Sequence, residues 1–241
     1  MSVFSLQRST IYVYQIRNQS LCAGIISPMA LIKPPQLPKP LPAGHLETLE
    51  ERGEYTAASF SAADLSTQAA QDVLFEQTVL QRVIFQRTRL TRPRLFDVRA
   101  AGCDFSGADW EKARFRRVEF NACRLMGMQL LEAQFEQATF KECNLEGAVF
   151  VSAGFKLARF EACNLRGVSF EQAELSGVIF RHCNLSGANL SGAHLSGADL
   201  RGSQLDGLIV RAEEMKGVVI ESSQAIQVAG LLGVILNDEP Y

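Results

Sequence analysis

Ala188-Asn189-Leu190-Ser191-Gly192, Ala193-His194-Leu195-Ser196-Gly197 and Ala198-Asp199-Leu200-Arg201-Gly202 follow one another without a break. Each block reads small, polar, large apolar, variable, Gly. Working outward from Leu190, every fifth residue from Phe60 to Ile220 is apolar, and the register never slips. Of the 15 Phe in the chain, 13 occupy that position, as does the single Trp, Trp110. So strict a period is the mark of a repeat architecture. Let the large residue be i. Position i−2 is small or β-branched, with Gln68, Pro93, Met128, Leu208 and Glu213 as the exceptions. Position i+2 holds 12 of the 18 Gly.

A helix needs apolar spacing near 3.6 and a flat strand needs 2. A period of five satisfies neither. In an extended segment i−2 and i point to the same side. The next inward residue is three positions further on, so the chain must turn between them. Gly at i+2 suits such a turn because it accepts backbone angles that other residues avoid. Each unit is therefore a short side followed by a corner. Cys103, Cys123, Cys143, Cys163 and Cys183 then set the number of sides. They recur at 20-residue spacing, all at i−2, and three of them head the tripeptide Cys-Asn-Leu. Four sides close a coil, and like residues stack along its axis about 4.8 Å apart. Phe120, Phe140, Phe160 and Phe180 form an inner column, and Asn144, Asn164 and Asn184 an outer amide ladder.

The blocks at 188–202 resemble the motif A(D/N)LXX of the pentapeptide-repeat family. The resemblance covers roughly residues 55–220. It implies an all-β fold, a right-handed quadrilateral β-helix (β-solenoid) of about eight coils and about 40 Å in height. The expected organisation is an N-terminal extension at 1–52, the solenoid at 53–220 and a C-terminal cap at 221–241. A solenoid needs capped ends. Ser222 or Ser223 is expected to cap a short helix from Gln224 to Leu232, with Gly233 as its stop. Its buried face would be Ala225, Val228, Ala229 and Leu232. Val234 to Leu236 reads as a strand. The family resemblance further implies a homodimer through this cap.

The N-terminal segment is Pro-rich and extended over 33–42 (KPPQLPKPLP), and 45–52 reads as one or two helical turns. Residues 1–28 show no signal-peptide pattern. They are read as partly disordered, or as lying upstream of a start at Met29.

Bulk properties narrow the function. The 241 residues fit one or two domains, and no apolar run is long enough for a transmembrane helix, so no membrane partner is expected. A net charge of −2 provides neither the basic excess of a nucleic-acid binder nor a strongly acidic surface. No metal site is expected, because a line of thiols does not converge on an ion. Cys at i−2 behaves as a small apolar residue, and its spacing points to free thiols in a reducing, cytoplasmic compartment. His45, His182 and His194 are too dispersed for a catalytic triad, and no phosphate loop or nucleophile elbow is present. No cofactor and no catalytic residue are therefore assigned, and the chain is read as not an enzyme.

The outward columns mostly alternate in charge: Arg116, Glu136 and Lys156; Lys141, Glu161 and Arg181; Arg99 over Glu119; Glu146 over Arg166. One place breaks the alternation. Arg92 stacks on Lys112 and Arg94 on Arg114, with Arg116 and Arg117 at the next corner. Like charges directly opposite are unfavourable. These six residues are the candidate binding patch for an anion or an acidic protein, unless Asp72 and Glu132 neutralise it. The expected function is a non-catalytic scaffold for protein–protein interaction. The family resemblance implies a second reading, a DNA-mimicking binder of DNA gyrase or topoisomerase IV that confers quinolone resistance. A mimic needs a continuous acidic stripe, whereas residues 101–200 carry 12 acidic and 10 basic side chains, well mixed.

Overall fold

The structure, a computed structural model, describes residues 32–235. The expectations for residues 1–28 and for Leu236 lie outside that range. Ten strands are present in the described chain: β1 (Glu54–Thr56), β2 (Ser59–Ser61), β3 (Ala69–Gln71), β4 (Leu74–Gln81), β5 (Arg89–Thr91), β6 (Arg94–Ala101), β7 (Arg114–Asn121), β8 (Gln134–Lys141), β9 (Gly154–Glu161) and β10 (Ile179–Arg181). All pair in parallel, each residue with the one 20 positions on, as Phe115↔Phe135↔Phe155 and Phe120↔Phe140↔Phe160 show. The main sheet runs β1-β4-β6-β7-β8-β9-β10, with β2 also on β4, and β3 pairs β5 on another side. These pairings make about six turns, fewer than the eight expected. Beyond β10 the coil continues only through single-residue bridges such as Ser169↔Asn189 and Asp199↔Val219.

The core is the pair of positions read from the sequence. Phe75, Phe85, Phe105, Trp110, Phe140, Phe150 and Phe160 are fully buried at i, and Ala108, Ala133, Ala148 and Ala173 beneath them at i−2. Small residues at i−2 leave room for the rings. The inner column stacks face to face: Phe120–Phe140 at 4.9 Å, Phe140–Phe160 at 4.6 Å and Phe160–Phe180 at 5.0 Å between centroids. The five cysteines of the described residues are buried and unpaired. Cys143 Sγ lies 3.3 Å from the Phe120 carbonyl, and Cys163 Sγ 3.4 Å from that of Phe140, bonds that only a protonated thiol donates. Ser203 ends the column, its hydroxyl receiving the Cys183 N–H and donating to the Phe180 carbonyl.

The corners extend the glycine reading. Gly107, Gly127 and Gly147 adopt positive φ at i+2, but so do Arg92, Asp97, Lys112, Arg117 and Gln137. A non-Gly residue there costs about 1 kcal/mol. The ladder holds the conformation in place: the corner N–H of Arg92 donates to Glu111 O at 2.9 Å, and that of Gly107 to Met126 O at 2.8 Å. One side-chain-to-side-chain hydrogen bond lies wholly in the core among the described residues, from Trp110 Nε1 to Thr88 Oγ1 at 2.9 Å. Thr88→Val keeps the shape and strands the indole N–H. A loss of about 2 kcal/mol in urea melts is expected, and an unchanged midpoint would show that the bond contributes nothing.

Both ends depart from expectation. Residues 45–50 form no helix, only a turn at 51–52 follows, and Leu46 and Leu49 cover the end of the core. Gln68, polar at a core position, holds this segment: it accepts the Leu49 N–H at 2.7 Å and donates to Glu47 O at 3.0 Å. At the other end the helix is a 3-10 turn, Ser222–Gln224, running into α1 (Ala225–Leu231). Its cap is Glu221, in a reciprocal capping box with Gln224, and not a serine. Gln224 and Val228 are the buried residues, with Leu231 packed beside them, while Ala225 and Leu232 face solvent. Gln224 decides this rotation by donating to Leu200 O and Ser203 O, the open carbonyls of the last coil. Val234 and Ile235 form no strand.

Candidate functional site

Arg94 and Arg114 sit at i−1, so their side chains project from the middle of one flat side. They are direct register partners on adjacent rungs. Arg92 and Lys112 stand at the corner before that side, and Arg116 and Arg117 at the corner after it. All six residues of the candidate patch thus fall on one side of two rungs, but they are not equivalent.

Arg92 donates from Nε and Nη2 to the two carboxylate oxygens of Asp72, both at 2.8 Å. Lys112 Nζ lies 2.9 Å from Glu111 and 3.9 Å from Glu132. Arg117 is paired with Asp97 through both of its carboxylate oxygens. Arg116 lies over the ring of Phe96, 4.6 Å from its centroid, and its Nε is buried with no hydrogen-bond partner among the described residues. Arg94 and Arg114 have no carboxylate within ion-pair distance among the described residues.

The neutralising acids expected from the columns are therefore half right. Asp72 takes Arg92, and Glu111 takes Lys112 ahead of Glu132. Asp97 and Phe96 were missed. Both were legible: Asp97 lies 20 residues before Arg117 in the same corner column, and Phe96 is one of the two Phe out of register. The Arg92 hydrogen bond holds the Asp72 carboxyl below the usual range. Burial alone would raise the pKa of Asp97, but hydrogen bonds from Arg117 and from the Gln36 N–H outweigh it and hold that carboxyl low. Between Arg52, Arg92, Arg94, Lys112 and Arg114 runs an open groove of about 730 Å³, whose acids are Glu54, Asp72 and Glu132. Five cations against three acids leave the groove net positive. It can hold an anionic group at the Arg94–Arg114 pair.

Elsewhere the alternating columns pair less regularly than their registers suggest. Arg99 meets Glu119 at 2.8 Å and Lys156 meets Glu136 at 3.7 Å, as expected. Lys141 turns to Glu142, Arg181 to Asp199, and Glu146 accepts from Asn164 instead of meeting Arg166. Long side chains at a corner splay, so a neighbour along the chain competes with the one a rung away. The amide ladder forms in one step, Asn164 to Asn144 at 3.0 Å. No group of His, Cys, Asp or Glu among the described residues is arranged for a metal ion, and no described helix is long and apolar enough to cross a membrane.

A family profile described as Pentapeptide repeat region matches residues 93–156 and 133–209. Three solved structures are similar. HetL, a pentapeptide repeat protein involved in heterocyst differentiation regulation in Nostoc sp. strain PCC 7120, is 23% identical over 72% of this chain and 86% of its own, with a TM-score of 0.33. Full-length QnrB1, a plasmid-mediated fluoroquinolone resistance protein, is 19% identical over 78% and 95%, with a TM-score of 0.40. A pentapeptide repeat protein of the Arabidopsis thaliana thylakoid lumen is 21% identical over 46% and 73%, with a TM-score of 0.21. No curated protein matches. Likeness at this level carries nothing about activity.

Proposed function

The chain belongs, through residues 93–209, to the pentapeptide-repeat family, and from that premise we propose that it is a non-catalytic scaffold whose flat side at Arg94 and Arg114 binds an acidic protein partner. One observation carries this reading. Two arginines face each other across adjacent rungs with no acid in ion-pair reach among the described residues, while Arg92, Lys112 and Arg117 beside them are paired. Opposed like charges destabilise a sheet by a fraction of a kcal/mol, and a carboxylate-rich ligand converts that repulsion into charge-assisted bonds. Two further proposals accompany it. The unpaired buried thiols favour a reducing, cytoplasmic setting. The exposed Ile226, Val234 and Ile235 favour self-association through the C-terminal element. The gyrase-binding reading has less support, because the unpaired cations stand where a mimic of DNA needs acids.

Fluorescence anisotropy with labelled poly-glutamate tests the main reading. Binding is expected to weaken with added salt, and R94E/R114E is expected to weaken it at least tenfold, as reversal of two contacting charges should. An Arg181→Glu control should bind like the parent. Equal binding by R94E/R114E and the parent would overturn the reading.

A further inference from the structure

The Pro-rich segment does not trail from the solenoid but lies along one of its corners, and its hydrogen bonds are regularly spaced. The Lys33 N–H donates to Gln137 Oε1 at 3.0 Å, and the Gln36 N–H to Asp97 Oδ1 at 2.8 Å. Pro35 between them is buried, and residues 32–38 have no helical or strand pairing. The two donors are three residues apart. The two acceptors are in one corner column, two rungs apart, with Arg117 on the rung between.

These two spacings match. A polyproline II segment rises about 3.1 Å per residue, or about 9.3 Å over one three-residue turn. Two rungs of a parallel sheet span about 9.6 Å. An N–H at every third residue therefore meets an acceptor at every second rung, and the prolines between have no N–H to satisfy. The in-phase rungs of the column are Ala57, Asp97, Gln137 and Gly177, and only the middle two bear an acceptor. The register is thus confined to the place where the arm lies. The chain bends at Lys39 and Pro40, before Ala57 would be reached, and pairs Ala43 with Ser59 instead.

We propose that this corner is a docking track for a polyproline II segment of pattern x-Pro-Pro-x, and that residues 33–36 are its tethered ligand. Specificity comes from two devices. Asp97 and Gln137 read N–H groups one turn apart, and the buried Pro35 fits only a chain already held extended. The track therefore accepts the same pattern from a separate proline-rich peptide in place of the arm. This inference uses residues other than the Arg94–Arg114 pair and stands apart from the scaffold reading.

Amide hydrogen exchange on the full chain tests it. The Lys33 and Gln36 amides are expected to exchange at least tenfold more slowly than in a free peptide of residues 33–40. Gln137→Ala, a change at the surface, should return Lys33 to the free rate and leave Gln36 protected. One proline inserted between Pro35 and Gln36 sets the donors about 12.4 Å apart, so one of the two amides should lose protection while circular dichroism shows the solenoid still folded. An excess of the free peptide should speed exchange at both tethered amides, and a peptide with Gly at both positions of the Pro pair should not. Free-rate exchange in the parent, protection of both amides despite the insertion, or indifference to the added peptide would each overturn the proposal.

Discussion

Phe140→Asp is expected to remove most of the stability of the solenoid. The ring is fully buried, stacked between Phe120 and Phe160, and in edge contact with Phe135. Deleting a buried Phe costs about 3–5 kcal/mol through lost contacts and the cavity left behind. The new carboxyl adds to this, since nothing in a column of rings can bond it, and burying it unpaired costs several kcal/mol more. A domain of this size has about 5–15 kcal/mol in all. Urea melts should show a collapsed midpoint. Because each coil touches only its neighbours, native-state exchange should open first at the 140 rung and spread mainly to the adjacent 120 and 160 rungs. Phe140→Leu, which keeps an apolar filling, should lose far less. A Phe140→Asp protein that melts like the parent would disprove the inward placement of the whole column.

The second large effect is at Asp97. Its side chain is almost fully buried at a corner, against Arg117 and beneath the N-terminal arm. Removing one partner of a buried pair leaves the other uncompensated, and Asp97→Ala is expected to cost about 3 kcal/mol in melts. The pair also predicts a pH dependence. The carboxyl is held below its ordinary value in the folded protein. Its contribution is therefore fully present above the unfolded Asp pKa of about 3.9 and is lost as pH falls through the lower folded value. The parent should lose stability on acidification below about pH 4, and Asp97→Asn should flatten that limb. An acid limb equally steep in Asp97→Asn would assign the loss to other carboxylates.

These two residues also divide what was legible from what was not. Phe140 needed no structure. A local period of five sets which side chains point inward, because it follows from strand alternation and a corner at each repeat, and the cysteines add the 20-residue coil. The small residues at i−2 and the stacked rings at i then follow. The polar core residue Gln68 read as an exception and proved to be a clasp for Leu49 and Glu47. Its purpose depends on a segment about 20 residues away that carries no repeat. The same holds at the C-terminus, where the apolar pattern suggested one helix face and Gln224 turned another inward to reach the last open carbonyls.

By itself, then, the sequence determined the solenoid, its four sides, its inward columns and which charges share a side. Short-range backbone geometry repeated in register is enough for that. Only the tertiary structure decided which of six basic residues remain free and what lies over the corner at Asp97. Those outcomes depend on flexible side chains choosing between nearby acids, and on a proline-rich arm meeting a rung 61 residues away in sequence. No local period encodes contacts of that range.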